Sequence, residues 1–318
     1  MKTATSSITL YYSYCIFFVY LKGSVMAKIL VILEQEQESK CALDRAIDIA
    51  KITGADIHVL IYCYENLSWM NDVFDMIENL RIKDQLIQEK EAWWQKYITA
   101  YSNTISITHE VIWEKYFVDA VLTHCEQHEY DFYVKKGRRS ESFLHTPSDW
   151  LLLRESKIPS YIAAEQQTSN DGKSVLLALD LMASSQEKQK LNQKLLTFGF
   201  DFAEKMSLAI HCCFAISPPR ILTDIGPDKA QEYCKKIEAL ACKNANSLLE
   251  EFNIPPENIH IKIGAPYEVI DSISCQHHAS VVIIGSMGKK LLAGKVIGNT
   301  CEEVLHVTKK DMIVLGYN

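Results

Sequence analysis

Lys28-Ile-Leu-Val-Ile-Leu-Glu34 and Ser174-Val-Leu-Leu-Ala-Leu-Asp180 are two versions of one phrase, about 150 residues apart. Each is an unbroken apolar run closed by an acid. Such a run lacks the in–out alternation of a half-solvated strand, so it predicts a strand covered on both faces, as in a parallel sheet. The later segments of each half repeat too. Amphipathic helical patterns occupy 39–53 and 186–206, and second strands run through Ala55–Tyr62 and Leu208–Ala215. Long helices near 70–102 and 227–251 lead to third strands at Ile107–Trp113 and Ile259–Ile263. Helices over 117–124 and 267–274, fourth strands at Asp131–Val134 and Val281–Ile284, and last strands at Ser160–Ala164 and Met312–Leu315 complete the two series. Strand and helix periods alternate five times in each half, which predicts two tandem α/β domains, each a doubly wound, five-stranded parallel sheet.

The segments outside these repeats divide the chain. Glu165-Gln-Gln-Thr-Ser-Asn-Asp-Gly172 is polar, has no aromatic residue and ends in Asp-Gly, as expected of a linker. The expected domains are therefore 26–165 and 173–318, with 166–172 between them. Residues 1–25 carry the apolar stretch Ile8–Leu21, which is short for a membrane span and is not followed by a convincing cleavage site. Met26-Ala-Lys-Ile-Leu-Val reads as a fresh start, so translation is expected to begin at Met26, with the upstream residues a non-native extension or weak signal-like segment.

The 318 residues are 48% apolar and 23% charged, with a formal net charge of −7. An isoelectric point near 5.8 argues against a general nucleic-acid binder. The one basic cluster, Lys135-Lys136-Gly137-Arg138-Arg139, reads as a solvated turn. Most of the ten cysteines fall in apolar-periodic segments, which points to reduced, buried thiols and a cytoplasmic setting. His211-Cys212-Cys213 and Cys275-Gln276-His277-His278 lack metal-ligand spacing, so no metal ligand is assigned. A strand supplies only alternate residues to one face, and zinc would require His211 and Cys213 to meet Cys275 and His277 across the two segments.

One further stretch points to a ligand. Gly285-Ser-Met-Gly-Lys-Lys-Leu-Leu-Ala-Gly-Lys-Val-Ile-Gly-Asn-Thr300 comes after the fourth strand of the second half and opens a helix. Its glycines allow backbone N–H groups to face one concavity, and Gly298-Asn299-Thr300 sets free N–H groups at the positive end of a helix dipole. This suits a phosphate, although glycine turns also serve geometry alone. It matches neither the P-loop nor the G-x-G-x-x-G pattern.

With these residues assembled, the chain resembles the universal stress protein family, and its tandem E-type form in particular, from Met26 to the C-terminus. The marks are the G-x2-G-x9-G spacing of Gly285, Gly288 and Gly298, the Gly298-Asn-Thr-Cys-Glu302 helix start, and His145-Thr-Pro-Ser-Asp-Trp-Leu-Leu-Leu-Arg154 in the first half. The resemblance implies ATP or a related adenine nucleotide, alone or with Mg2+, in the second half. It assigns Asp180 to the base, Gly285 and Gly288 to ribose and phosphates, and Gly298, Asn299 and Thr300 to phosphates. Asn299 stands where many nucleotide-binding relatives have Ser or Thr. The resemblance further implies a stress sensor or regulator with at most slow hydrolysis and no catalytic residue assigned.

The first half departs from the pattern. Gly137 keeps one glycine, Glu34 replaces the base-reading acid, and Asp149-Trp150 stands where the third glycine would open a helix, so no nucleotide is expected there. Two other readings remain open. One is a nucleotide-independent scaffold, with internal domain pairing, a homodimer, or surfaces built on Trp69, Trp93, Trp94, Trp113 and Tyr161. The other is a binder of an apolar or nucleotide-sugar ligand.

Overall fold

The computed structural model describes residues 28–34, 39–70, 75–99, 101, 105–137, 148–165, 172–287 and 299–317. The expectations for residues 1–25, for most of the 166–172 linker, for Gly288 and Gly298, and for the side chains of Asp149, Trp150 and Asn299 lie outside the described residues.

In the first half, β1 (Lys28–Leu33), β2 (Asp56–Tyr62), β3 (Ile107–Ile112), β4 (Phe132–Lys136) and β5 (Ser160–Ala163) alternate with α1 (Ser39–Thr53), α2 (Met76–Ile98), α3 (Phe117–Gln127) and α4 (Ser148–Glu155). The second half repeats this with β6 (Ser174–Ala178), β7 (Ala209–Ile216), β8 (Ile259–Ile263), β9 (Ala279–Ser286) and β10 (Asp311–Gly316). Its helices are α5 (Gln186–Met206), α6 (Arg220–Ile225), α7 (Pro227–Leu249), α8 (Pro266–Gln276) and α9 (Asn299–Val307). The helical patterns at 39–53 and 186–206 agree with the sequence to the residue. The first long helix is shorter than its apolar pattern because Asp75 starts it: its carboxylate accepts the Glu78 N–H at 2.8 Å, and Glu78 caps back.

The ten strands form one sheet, in the order β3-β2-β1-β4-β5-β10-β9-β6-β7-β8. All neighbours are parallel except β5 and β10, which pair antiparallel through Tyr161↔Ile313 and Ile162↔Met312. Two doubly wound, five-stranded parallel units thus share an edge, and neither last strand is left as an open edge. Alternation along each strand feeds two cores. Val31, Val134, Leu177 and Ile283 face one, while Leu30, Leu176, Val282 and Met312 face the other. Burying such side chains contributes about 1.5–3 kcal/mol each, which is why the runs at 28–34 and 174–180 carry so much of the fold.

Trp94 and Tyr161 belong to the core, Trp93 packs against it, and Trp69 is exposed. No described helix is long and apolar enough to cross a membrane.

Candidate functional site

In an open parallel sheet, a crevice forms where adjacent strands send their following chain to opposite faces. β6 and β9 meet this condition. Register places Ala178 beside Ile284, so Leu179-Asp180 leaves the sheet beside Gly285-Ser286, the last residues of β9, which stay paired with β10. Beyond β6, α5 buries Leu191, Leu195 and Leu196 in one core; beyond β9, α9 buries Cys301 and Val304 in the other. The structure therefore brings Asp180 and Gly285 to one crevice mouth. Thr300 sits, partly buried, in the first turn of α9.

Asp180 is held by neighbours that the sequence pattern does not single out. Its own N–H donates to Asn192 Oδ1 at 3.1 Å, and the Asn192 amide donates to its carbonyl at 2.7 Å. Asn192 lies in the second turn of α5 and is buried, so the helix clamps the strand end through both backbone groups. The next residue is held as well, since Asn244 from α7 donates to the Leu181 carbonyl at 2.8 Å. The Asp180 carboxylate accepts the Met182 N–H at 3.1 Å and pairs with Lys188 at 2.9 Å. The side chain is 39% exposed, so it both caps the turn and faces solvent. A buried Asn twelve residues after the acid was the available signal, but one polar residue in an amphipathic helix does not reveal its partner.

Gly285 has a structural reason of its own. A Cβ there would lie 2.7 Å from Leu191 Cδ2 and 2.9 Å from Cγ, so any side chain would have to displace Leu191 of α5. The supposed repeat of this glycine needs correction. Val134 pairs with Val31 as Ile283 pairs with Leu177, so the position equivalent to Gly285 is Lys136, and Gly137 matches Ser286. Gly137 instead answers to the neighbouring strand: its Cβ would meet Ile162 at 2.7 Å.

The first half's crevice is built differently. Glu34, the residue after β1, forms an ion pair with Lys135 of β4, and both side chains are largely buried. Lys136 pairs with Glu165 at 3.1 Å. The basic cluster is therefore no simple solvated turn, since Lys135 neutralises the acid at the end of the first strand and is drawn into the sheet by it. Nearby, Tyr64, Glu65, Asp75, Lys83 and Trp113 line an open cavity of about 620 Å³.

Two sequence motifs meet across the halves. Arg154, ending the His145–Arg154 run, pairs at 3.0 Å with Glu302 of the Gly298–Glu302 helix start. Among the metal candidates, His211 and His277 do come together, but with His260; Cys213 and Cys275 are not in that group. Cys213 is buried in the core, and Cys275 is exposed on α8.

Residues 173–316 match the model of the universal stress protein family. Universal stress protein E homolog of Haemophilus influenzae is 26% identical over 288 residues, covering 87% of this chain and 93% of that protein. Universal stress protein E of Escherichia coli K12 is 24% identical over 293 residues, covering 90% and 92%. Among solved structures, a functionally unknown protein from Pseudomonas aeruginosa PAO1 superposes with a TM-score of 0.65 at 22% identity, over 92% of both chains. A universal stress protein from Archaeoglobus fulgidus gives 0.60 at 19% identity, over 91% of this chain and 98% of that one. At these identities the superpositions establish the fold.

Proposed function

We propose that the chain, whose residues 173–316 match the universal stress protein family and which is similar along most of its length to proteins named universal stress protein E, is a cytoplasmic stress-response regulator that binds one adenine nucleotide, ATP foremost, at the β6–β9 crevice of its second half. The observation that carries this reading is the convergence of Asp180 and Gly285 at that crevice, with the start of α9 and its dipole beyond it. Asp180 offers a carboxylate to the base, held in place through Asn192. Thr300 and the backbone at the start of α9 offer donors to phosphate, together with Asn299 and the Gly288–Gly298 loop of the sequence motif. Lys188, already paired with Asp180, adds a positive charge at the crevice mouth.

The two halves divide the work. Where the second half ends its first strand in a partly exposed acid, the first ends it in a buried ion pair with Lys135, which leaves Glu34 no free carboxylate to read a base. We assign the first half a supporting role at the shared sheet. Asp180 is the acid at the crevice mouth and has a recognition role, so any hydrolysis is slow and the protein serves as sensor or regulator.

The purified chain should retain adenine nucleotide, detectable by mass spectrometry of the released small molecules. Gly288→Val should abolish retention, since Val adds bulk where backbone must approach phosphate. A wild-type chain that neither carries nor binds adenine nucleotide, with Mg2+ or without, would overturn the proposal in favour of a nucleotide-independent scaffold.

A further inference from the structure

His211, His260 and His277 come from three different elements and converge at the opposite end of the second-half sheet from the crevice. His211 is the third residue of β7 and His260 the second of β8, both at the amino-terminal ends of their strands. Ile210 and Cys212 on β7, and Ile259 and Ile261 on β8, face the other core, so both histidines project toward α8. His277 caps the C-terminus of α8, and its place is fixed by two hydrogen bonds to its backbone and by the turn that follows. Its N–H donates to the Ile273 carbonyl at 3.0 Å, its carbonyl accepts from the Ser174 hydroxyl at 2.8 Å, and His278 turns the chain at φ 50°.

The rings pack together. His277 lies 4.3 Å, centroid to centroid, from both His211 and His260. His211 Nδ1 and His260 Nε2 approach to 3.0 Å, and one ligand nitrogen from each of the three lies within 4.8 Å of the others. The Nε2 of His277 is buried with no hydrogen-bond partner among the described residues. An orphaned buried nitrogen has a cost unless something supplies a partner. In tetrahedral coordination with Zn–N lengths of about 2.0–2.1 Å, neighbouring ligand nitrogens stand roughly 3.3 Å apart. The 3.0 Å approach of His211 and His260 is close to that value, and the His277 nitrogen lies within 4.8 Å of both.

We propose that His211, His260 and His277 form a binding site for a divalent transition-metal ion of the zinc class. Three imidazoles leave a fourth position open to water or a small anion. An ion there would share one partner among three lone pairs and satisfy the His277 nitrogen. Burial, with smaller repulsion from His277, His211 and Lys262, pulls the His260 imidazole down to about 4, and burial lowers His211 as well. Burial thus favours the neutral imidazole, the form that ligates.

The first half holds a counterpart at the same end of its sheet, in His58 of β2, Glu110 of β3 and His124 of α3. There, His58 Nδ1 is engaged by Thr108 at 2.8 Å and His124 Nε2 by the Tyr130 hydroxyl at 2.9 Å. Glu110 is exposed, and Lys28 stands 4.9 Å over the Tyr130 ring. His58 Nε2 there is buried without a partner among the described residues, as His277 Nε2 is, but hydroxyls hold His58 Nδ1 and His124 Nε2 and the third ligand is an exposed carboxylate. The second half offers three partly buried imidazoles, so the second half is the assigned site.

The test is titration of the chelator-stripped, full-length chain with Co2+, read by visible absorption, and with Zn2+, read by metal analysis after desalting. The wild type should take up a single His-sensitive equivalent, with the intense bands of tetrahedral cobalt. His260→Ala and His277→Ala should each abolish it, and His124→Ala should not. His260→Asn serves where an alanine variant fails to match the wild-type urea midpoint. A second equivalent lost only in His124→Ala leaves the assignment standing. No uptake by the wild type, or uptake that survives both second-half substitutions, would overturn it. Nucleotide retention is not the readout, so the outcome is independent of the crevice.

Discussion

The carboxylate of Asp311, first residue of β10, accepts the Tyr161 hydroxyl of β5 at 2.8 Å across the antiparallel seam between the two halves. The same carboxylate accepts the Ala164 N–H at 2.8 Å and pairs with Arg45 of α1. One buried acid of the second half therefore collects three donors from the first. Burial and the adjacent Asp311 hold the Tyr161 phenol well above its ordinary value, so it remains a donor at any physiological pH.

Removing that acid should loosen the seam. Asp311→Ala strands a buried tyrosine hydroxyl, a backbone N–H and the Arg45 charge, for an expected loss of about 3–5 kcal/mol. Urea unfolding monitored by circular dichroism measures it. Arg45→Met combined with Asp311→Leu should recover part of the loss, because the stranded charge goes with its partner. A single alanine variant as stable as the wild type would show that the network is incidental.

Gly285 and Leu191 should behave as one unit. Gly285→Ala forces a Cβ into Leu191 and should cost about 1–3 kcal/mol through overpacking. Leu191→Ala opens the space, so the double variant should be more stable than the two single losses summed, with a coupling of roughly 0.5–3 kcal/mol. Additive losses in the double-mutant cycle would place the constraint on Gly285 elsewhere.

Glu302 links stability to pH. Burial raises its carboxyl above the ordinary value of 4.5, outweighing the opposite pull of Arg154. The folded state then binds a proton that the unfolded chain has released, so this contribution to stability is full below pH 4.5 and is lost as pH rises through the raised folded value. The thermal midpoint of Glu302→Gln should fall less than that of wild type across this window, and parallel curves would refute the linkage.

Thiol reactivity should divide by burial. Cys242 and Cys275 are exposed, whereas burial pushes the thiols of Cys125 and Cys301 up to about 12. At pH 8, iodoacetamide should label Cys242 and Cys275 within minutes and spare Cys125 and Cys301 until denaturant is added, because the thiolate is the nucleophile. Peptide mapping reads the order; prompt labelling of Cys301 would mean that α9 opens in the native state.

The sequence by itself determined the elements and their repetition. Unbroken apolar runs such as Ile29–Leu33 and Val175–Leu177 can only be strands covered on both faces, and helical periods at 39–53 and 186–206 supply the covers. Asp180 and the Gly285–Thr300 run stood out because glycine spacing and a strand-ending acid are local patterns. Tertiary structure alone decided what is not local. Joining β5 to β10 made one sheet from two, because each unit ends on an open edge that the other can pair. The sheet register moved the match of Gly285 from Gly137 to Lys136, and it buried Lys135 beside Glu34. The partnerships Asp180–Asn192, Arg154–Glu302 and His211–His260–His277 join residues from separate elements. No residue type announces such partners in sequence, because their distances are set only when strands align and helices pack.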